Sequence, residues 1–193
     1  MIAGHFGFAA AVKSRETRIP LWALMLATVW LDVVFVPLFL MGIETIQLAD
    51  PAHQGYGAGI IHADYTHSIV GATALSGILG WLASLAWGRR AGIVIGLVAA
   101  SHWVLDLFVH RADMPFLPGN AGGFPELGFG LWRNAQLSCG FELALVLAGA
   151  WLYWRAAARV VDEAGRGKRP ATAAAVLIAA FGVLVLCMDY FSP

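Results

Sequence analysis

Cysteine is nearly missing from this chain. Cys139 and Cys187 are the two copies, too few for a disulfide framework and without the CxxC spacing of zinc or redox motifs. Charge is scarce as well. Only 12% of the 193 residues are charged, and they cancel to a net charge of zero. No basic stretch is interleaved with aromatics, which excludes nucleic acid as an expected partner. There is no GxSxG nucleophile elbow, no P-loop, no HExxH pair and no CxxCH for covalent haem. The GYGAG run at Gly55–Gly59 follows no strand pattern, so it is not a dinucleotide fingerprint. No basic residue precedes the first apolar stretch and no cleavage site follows it, so no signal peptide is expected.

What is abundant is apolar surface. Hydrophobic residues make up 60% of the chain and mean hydropathy is +0.73, more than a soluble domain of this size has use for. The composition predicts an integral membrane protein: an all-α, polytopic helix bundle forming a single domain over residues 1–193. Five segments are long enough to cross, at about 20–41, 66–87, 91–110, 137–155 and 171–190. Residues 1–12 are apolar but too short to span. They are expected to form an interfacial or re-entrant helix ahead of the charged turn Lys13–Arg18.

Basic residues cluster at Lys13–Arg18, at Arg89 and Arg90, and from Arg155 to Arg169, whereas the loops at 42–65 and 111–136 hold only Arg111 and Arg133. The positive-inside rule then places the N-terminus in the cytoplasm and the C-terminus outside. The two outer loops, rich in glycine, proline and aromatics, suit lids.

Against this background four histidines and two aspartates crowd between Ile61 and Arg111: His62, Asp64, His67, His102, Asp106 and His110. Ionisable groups are costly inside a bilayer and persist where they line a site or pair with one another. His102, Asp106 and His110 recur every four residues, which stacks them on one helix face. At a rise of ~1.5 Å per residue, Asp32 and His102 fall near mid-membrane, with Asp106 and Glu142 about one turn or more further out. The polar groups therefore gather in the outer half of the bundle, which predicts a cavity opening outward.

Each has a plainer reading. A lone intramembrane histidine is more often hydrogen-bonded to a neighbouring helix than a ligand. His110 could pair with Arg111 or Asp113, Asp64 could cap the second span, Glu142 could answer Arg133, and His53 reads as a loop histidine. As a group, however, imidazoles and carboxylates at compatible depths suit zinc, manganese, iron or nickel. A spare carboxylate, Asp64 or Glu142, would serve as general base.

Four elements occur in a telling order: Gly4-His5, Leu31-Asp32, His62 leading to Thr66-His67-Ser68, and Ser101-His102 followed by Asp106. Over residues 1 to about 120 the chain resembles the small bacterial membrane-bound metal-dependent hydrolases, a family related in pattern to zinc-dependent phospholipase C. That resemblance implies His5, Asp32, His62, His67, His102 and Asp106 as metal ligands or catalytic groups, with zinc the expected metal. It also implies a location in the bacterial inner membrane. The family's proline before the first aspartate is here Leu31, its second aspartate is Val34, and its Arg-Gly pair is Ala63-Asp64. His110-Arg111-Ala112-Asp113 is an addition after the last motif.

The leading expectation is a metal-dependent hydrolase acting from the outer side on a lipid or phosphoester through a metal-activated water. The alternatives are a small permease or ion-coupled transporter using a His/Asp relay, and a non-catalytic subunit of a larger membrane complex. Membrane lipids are the expected surroundings, and a homo-oligomer is compatible with the composition.

Overall fold

The computed structural model describes residues 1–49 and 55–191; His53 lies outside them. Among the described residues there are six helices: α1 (Ile2–Lys13), α2 (Leu21–Thr28), α3 (Trp30–Leu40), α4 (Ile69–Val109), α5 (Ala135–Glu163) and α6 (Arg169–Phe191). The all-α expectation needs one correction. Strands β1 (Thr45–Leu48) and β2 (Gly59–His62) pair antiparallel, with Thr45 opposite His62 and Leu48 opposite Gly59. Both carry β-branched Thr or Ile residues, which favour the extended chain.

The expected count of five spans is also corrected. Three helices, α4, α5 and α6, are long and apolar enough to cross a membrane, and a fourth span results if the bent pair α2–α3 counts as one. The segments expected at 66–87 and 91–110 are the two arms of this one 41-residue stretch, α4, and join at Gly88 with no loop between them. The chain reverses at Gly88, whose φ of 83° and ψ of 165° belong to a region essentially reserved for glycine. Its two arms then pack on each other closely enough that a methyl group on Gly80 would meet the Gly92 carbonyl at 2.8 Å.

The break between α2 and α3 is at Val29, where the axis bends by 50°. No glycine or proline marks it; Pro37 lies further along, inside α3.

Helix α1 is neither peripheral nor exposed. Ala3, Gly4, His5, Gly7, Ala9 and Ala10 are buried, and the helix is seated against α5 where Gly7 meets Gly149 backbone to backbone. One apolar cluster joins α1, α2 and α4 through Ala9, Leu24, Ala27, Ile95 and Val98; another joins α1, α5 and α6 through Ala3, Val146 and Leu186. Only 22–39% of each candidate span is buried inside the protein. Leu85, Leu97, Leu177 and Met188 are among the large side chains left facing outward. A surface this apolar fits a multi-pass membrane protein.

The chain path sorts the two ends. Arg90 binds Glu16 at 2.7 Å, so the charged turn after α1 and the Gly88 reversal share one end. The hairpin and the loop 111–134 lie at the other. That loop is stitched down by Met114 and Leu127, by Phe129 N–H to the Leu107 carbonyl, and by Gly130 N–H to the His110 carbonyl.

Candidate metal centre

Four parts of the chain, of unequal regularity, converge at the loop end. His67 lies in the turn just before α4, whose start is capped by the Ser68 hydroxyl accepting from Gly71 N–H at 3.0 Å. Ser68, and not Asp64, is therefore the cap. The reversal at Gly88 brings the far end of α4 back beside this turn, so that His102, Asp106 and His110 face His67. Asp32 comes from α3 and His5 from α1.

The donor atoms are close. Asp106 Oδ2 stands 2.9 Å from His102 Nε2 and 3.6 Å from the Nε2 atoms of both His67 and His110. Asp32 Oδ1 is 3.6 Å from His102 Nε2 and 3.7 Å from His67 Nε2. His67 Nε2 and His102 Nε2 are 3.1 Å apart. On the other side of Asp106, Oδ1 lies 3.1 Å from His5 Nε2, and the His5 ring stacks on His102 at 4.0 Å. His5, His67, His102 and Asp106 are all buried, while the Asp32 side chain is a third exposed.

Outer contacts fix how the rings are protonated. His102 Nδ1 is 2.7 Å from the Thr28 carbonyl, which can only accept, so the proton is on Nδ1. That carbonyl is available because α2 stops at Thr28, and the last carbonyls of a helix have no partner within it. His67 Nδ1 is 2.9 Å from Thr66 Oγ1, and Thr66 Oγ1 in turn lies 3.0 Å from both oxygens of buried Glu44. The hydroxyl proton goes to the carboxylate, leaving the hydroxyl oxygen to accept from His67 Nδ1–H. His110 Nδ1 likewise meets Asp113 Oδ1 at 2.9 Å.

In their neutral forms, all three imidazoles therefore turn bare Nε2 lone pairs towards one another and towards two carboxylates. Such a set needs a cation, whether protons or a metal ion. The observed separations of 2.9–3.7 Å bracket the roughly 3.4 Å expected between neighbouring donors around a tetrahedral ion with bonds of ~2.0–2.1 Å. Backing each ligand histidine with a carbonyl or carboxylate on its far nitrogen is also usual at metal sites. Two sets, His5–His102–Asp106 and Asp32–His67–His102, each place three donors within 4.8 Å of one another. His5 Nδ1 is buried and has no hydrogen-bond partner among the described residues. The residues could hold a metal ion.

A cavity of about 340 Å³ opens onto this cluster. Asp32, His67, Asp106 and His110 lie on its polar side; Ile2, Phe35, Val36, Ile61 and Trp132 supply apolar wall.

Other expected site residues fall elsewhere. His62 ends β2 opposite Thr45, half-buried, and belongs to neither donor set. With Asp64 it neighbours Glu126 in the loop region. Partial burial first, then Asp64 and Asp113, raise the Glu126 carboxyl above its ordinary value, while His62 pulls the other way. Glu142 is fully buried with both oxygens engaged: Oε2 accepts from Gly4 N–H at 3.1 Å and Oε1 from the Tyr56 hydroxyl. It seats α1 and does not answer Arg133.

Sequence reasoning overlooked Glu44 and Tyr56. Glu44 looks like a solvated loop acid, yet it accepts from the backbone N–H groups of Tyr65 and Thr66 as well as from the Thr66 hydroxyl. Its one legible signal is its place directly after an apolar span.

Compared with protein-family models, curated proteins and solved structures, the chain matches none of them.

Proposed function

We propose that this protein is a membrane-embedded, metal-dependent hydrolase of a lipid or phosphoester. One observation carries the reading. Imidazole lone pairs held by outer partners converge with Asp32 and Asp106 at the polar side of a largely apolar chamber. The motif order in residues 1 to about 120 supports it. Asp32, His67, His102 and Asp106 would hold the metal, with His5 against the second oxygen of Asp106. Nitrogen and oxygen donors in this number suit zinc. When bound, zinc would supply Lewis acidity and bring the pKa of a water molecule towards neutrality.

The chain's own groups then divide the work. Asp32 is the exposed carboxylate of the cluster and meets whatever enters the chamber. Asp189 on α6 lines the same chamber outside the donor sets, which suits it to the acid–base role foreseen for Asp64 or Glu142. Phe35, Val36 and Ile61 offer an apolar wall suited to acyl chains. The basic turns at the opposite end favour placing the loop end outside, in a bacterial inner membrane.

The test is elemental analysis of detergent-purified protein beside His102→Ala, followed by hydrolysis assays on phospholipids and aryl phosphodiesters. Near-stoichiometric zinc lost in the variant, with turnover lost in both His102→Ala and Asp106→Ala, is the expected result. Well-folded wild-type protein prepared without chelator and lacking metal would overturn the reading.

The broken pair α2–α3 favours a second reading, since discontinuous helices mark ion-coupled transporters. Proton or metal flux in proteoliposomes that depends on Asp32 and His102 would establish it.

A further inference from the structure

His110 lies outside both three-residue donor sets and outside the motifs that suggested the function. Its surroundings nonetheless repeat those of His67 and His102. It follows the last turn of α4, buried at 2% exposure, one helical turn beyond Asp106. Its ring is stacked on His67 at 5.8 Å and is covered on the loop side by Trp132 at 4.4 Å. Asp113, itself buried, accepts from its Nδ1–H at 2.9 Å. Nε2 is then left as a lone pair 3.6 Å from Asp106 Oδ2. A lone pair facing a carboxylate has nothing to share with it. A cation between them removes the conflict.

We propose that His110 is a further ligand of the metal held by His67, His102 and Asp106, and that Asp113 is its positioning residue. The inference rests on the metal reading above and adds to it a donor from the end of α4.

Asp113 is well suited to hold the ring. Its second oxygen, Oδ2, accepts from Ile61 N–H at 2.9 Å, so the carboxylate is fixed from both sides. Ile61 lies on β2 and lines the chamber. The His110–Asp113 pair thus links the metal centre to the hairpin that walls it. A carboxylate behind a ligand histidine fixes the tautomer and raises the ligand's basicity.

The probe is Co²⁺, titrated into metal-stripped full-length protein in detergent and read by visible absorption, which responds to ligand identity. Wild type, His102→Ala, His110→Ala, Asp113→Asn and the double variant His110→Ala/Asp113→Asn are compared. For His110→Ala, which removes a ligand, affinity is expected to fall by more than the roughly 10–100-fold that loss of an outer partner costs, and the cobalt band to change. Asp113→Asn, nearly isosteric and so a check against misfolding, is expected to weaken binding less, in the same direction. Because it acts through His110, its effect should vanish in the double variant.

Unchanged affinity and an unchanged band in both single variants, with binding lost in His102→Ala, would overturn the role of His110 and leave the metal centre standing. Wild-type protein that binds no cobalt would overturn both.

Discussion

His67 and His102 meet Nε2 to Nε2 at 3.1 Å, each with its other ring nitrogen committed to an outer acceptor. They are 35 residues apart in sequence and are brought together because α4 reverses at Gly88. The same fold sets Gly80 against Gly92, so the small residues of the reversal and the polar residues of the site belong to one arrangement. With both rings neutral, the close-packed arms set two lone pairs face to face, a conflict that a shared proton or a bound cation would relieve.

Metal should therefore stabilise the folded protein. Only the folded chain presents these donors together, so an ion at about a hundredfold its dissociation constant adds ~2.7 kcal/mol. Chelator treatment is expected to lower the thermal midpoint, and re-addition of zinc to restore it. His102→Ala should melt at one temperature with or without chelator. A wild-type midpoint indifferent to chelator would mean that protons alone settle the cluster.

The relay behind His67 gives a second expectation. Thr66→Val removes the acceptor for His67 Nδ1 while leaving Glu44 its two backbone donors. Metal affinity should fall by roughly 10–100-fold, the usual effect of losing an outer partner. Glu44→Gln should act in the same direction and also cost about 1–3 kcal/mol, because a buried charge-assisted network is broken. Binding isotherms beside melting curves separate the two effects. Equal affinities in wild type and Thr66→Val would remove the relay from the account.

Much of this site was legible, because ionisable residues in an apolar chain stand out. Asp32, His67, His102 and Asp106 stand out in that way, His5 is implied only by the family resemblance, and the structure brings all five together. His62 is suggested by its place in the His/Asp cluster and by the resemblance, but it ends a strand and belongs to neither donor set. Glu44 was passed over because acids in loops are ordinarily solvated, and nothing local says that Thr66 will fold over it. The span count differs at Gly88, where two arms join without a loop and count as one long apolar helix. The Val29 break left no trace either. It is held by tertiary contacts, among them the bond from His102 to the Thr28 carbonyl, in the absence of a local breaker residue.

Tyr56 yields a pH prediction with a definite sign. Burial, and then the neighbouring Glu142, push its hydroxyl above the ordinary tyrosine value. A folded value above the unfolded ~10 means its contribution is complete below that pH and is lost as pH climbs towards the folded value. In a tyrosinate absorbance titration, Tyr56 should ionise after free tyrosine does. Tyr56→Phe should delete that late step. It should also destabilise the protein by about 1–3 kcal/mol at neutral pH, since Glu142 Oε1 loses its donor inside the bundle. A late step that survives in Tyr56→Phe would assign it to another residue.

The seating of α1 can be tested far from any ligand. A methyl group on Gly149 would stand 1.9 Å from the Gly7 carbonyl oxygen, and neither backbone has a flexible end to move aside. Gly149→Ala should therefore push α1 off α5 at a cost of about 1–3 kcal/mol or more. His5 rides on α1, and the Gly4 N–H that binds Glu142 lies one residue before it. The same shift should draw His5 from Asp106 and weaken metal binding, although residue 149 touches no ligand. Gly140→Ala is the control on the same helix, because its methyl group meets nothing within 4 Å. There the better helix propensity of alanine should be neutral or stabilising by up to ~1 kcal/mol. Melting curves and Co²⁺ titrations of the two variants, run side by side, decide the matter. If both behave like wild type, α1 is not held at the centre of the bundle, and His5 has no route to the site.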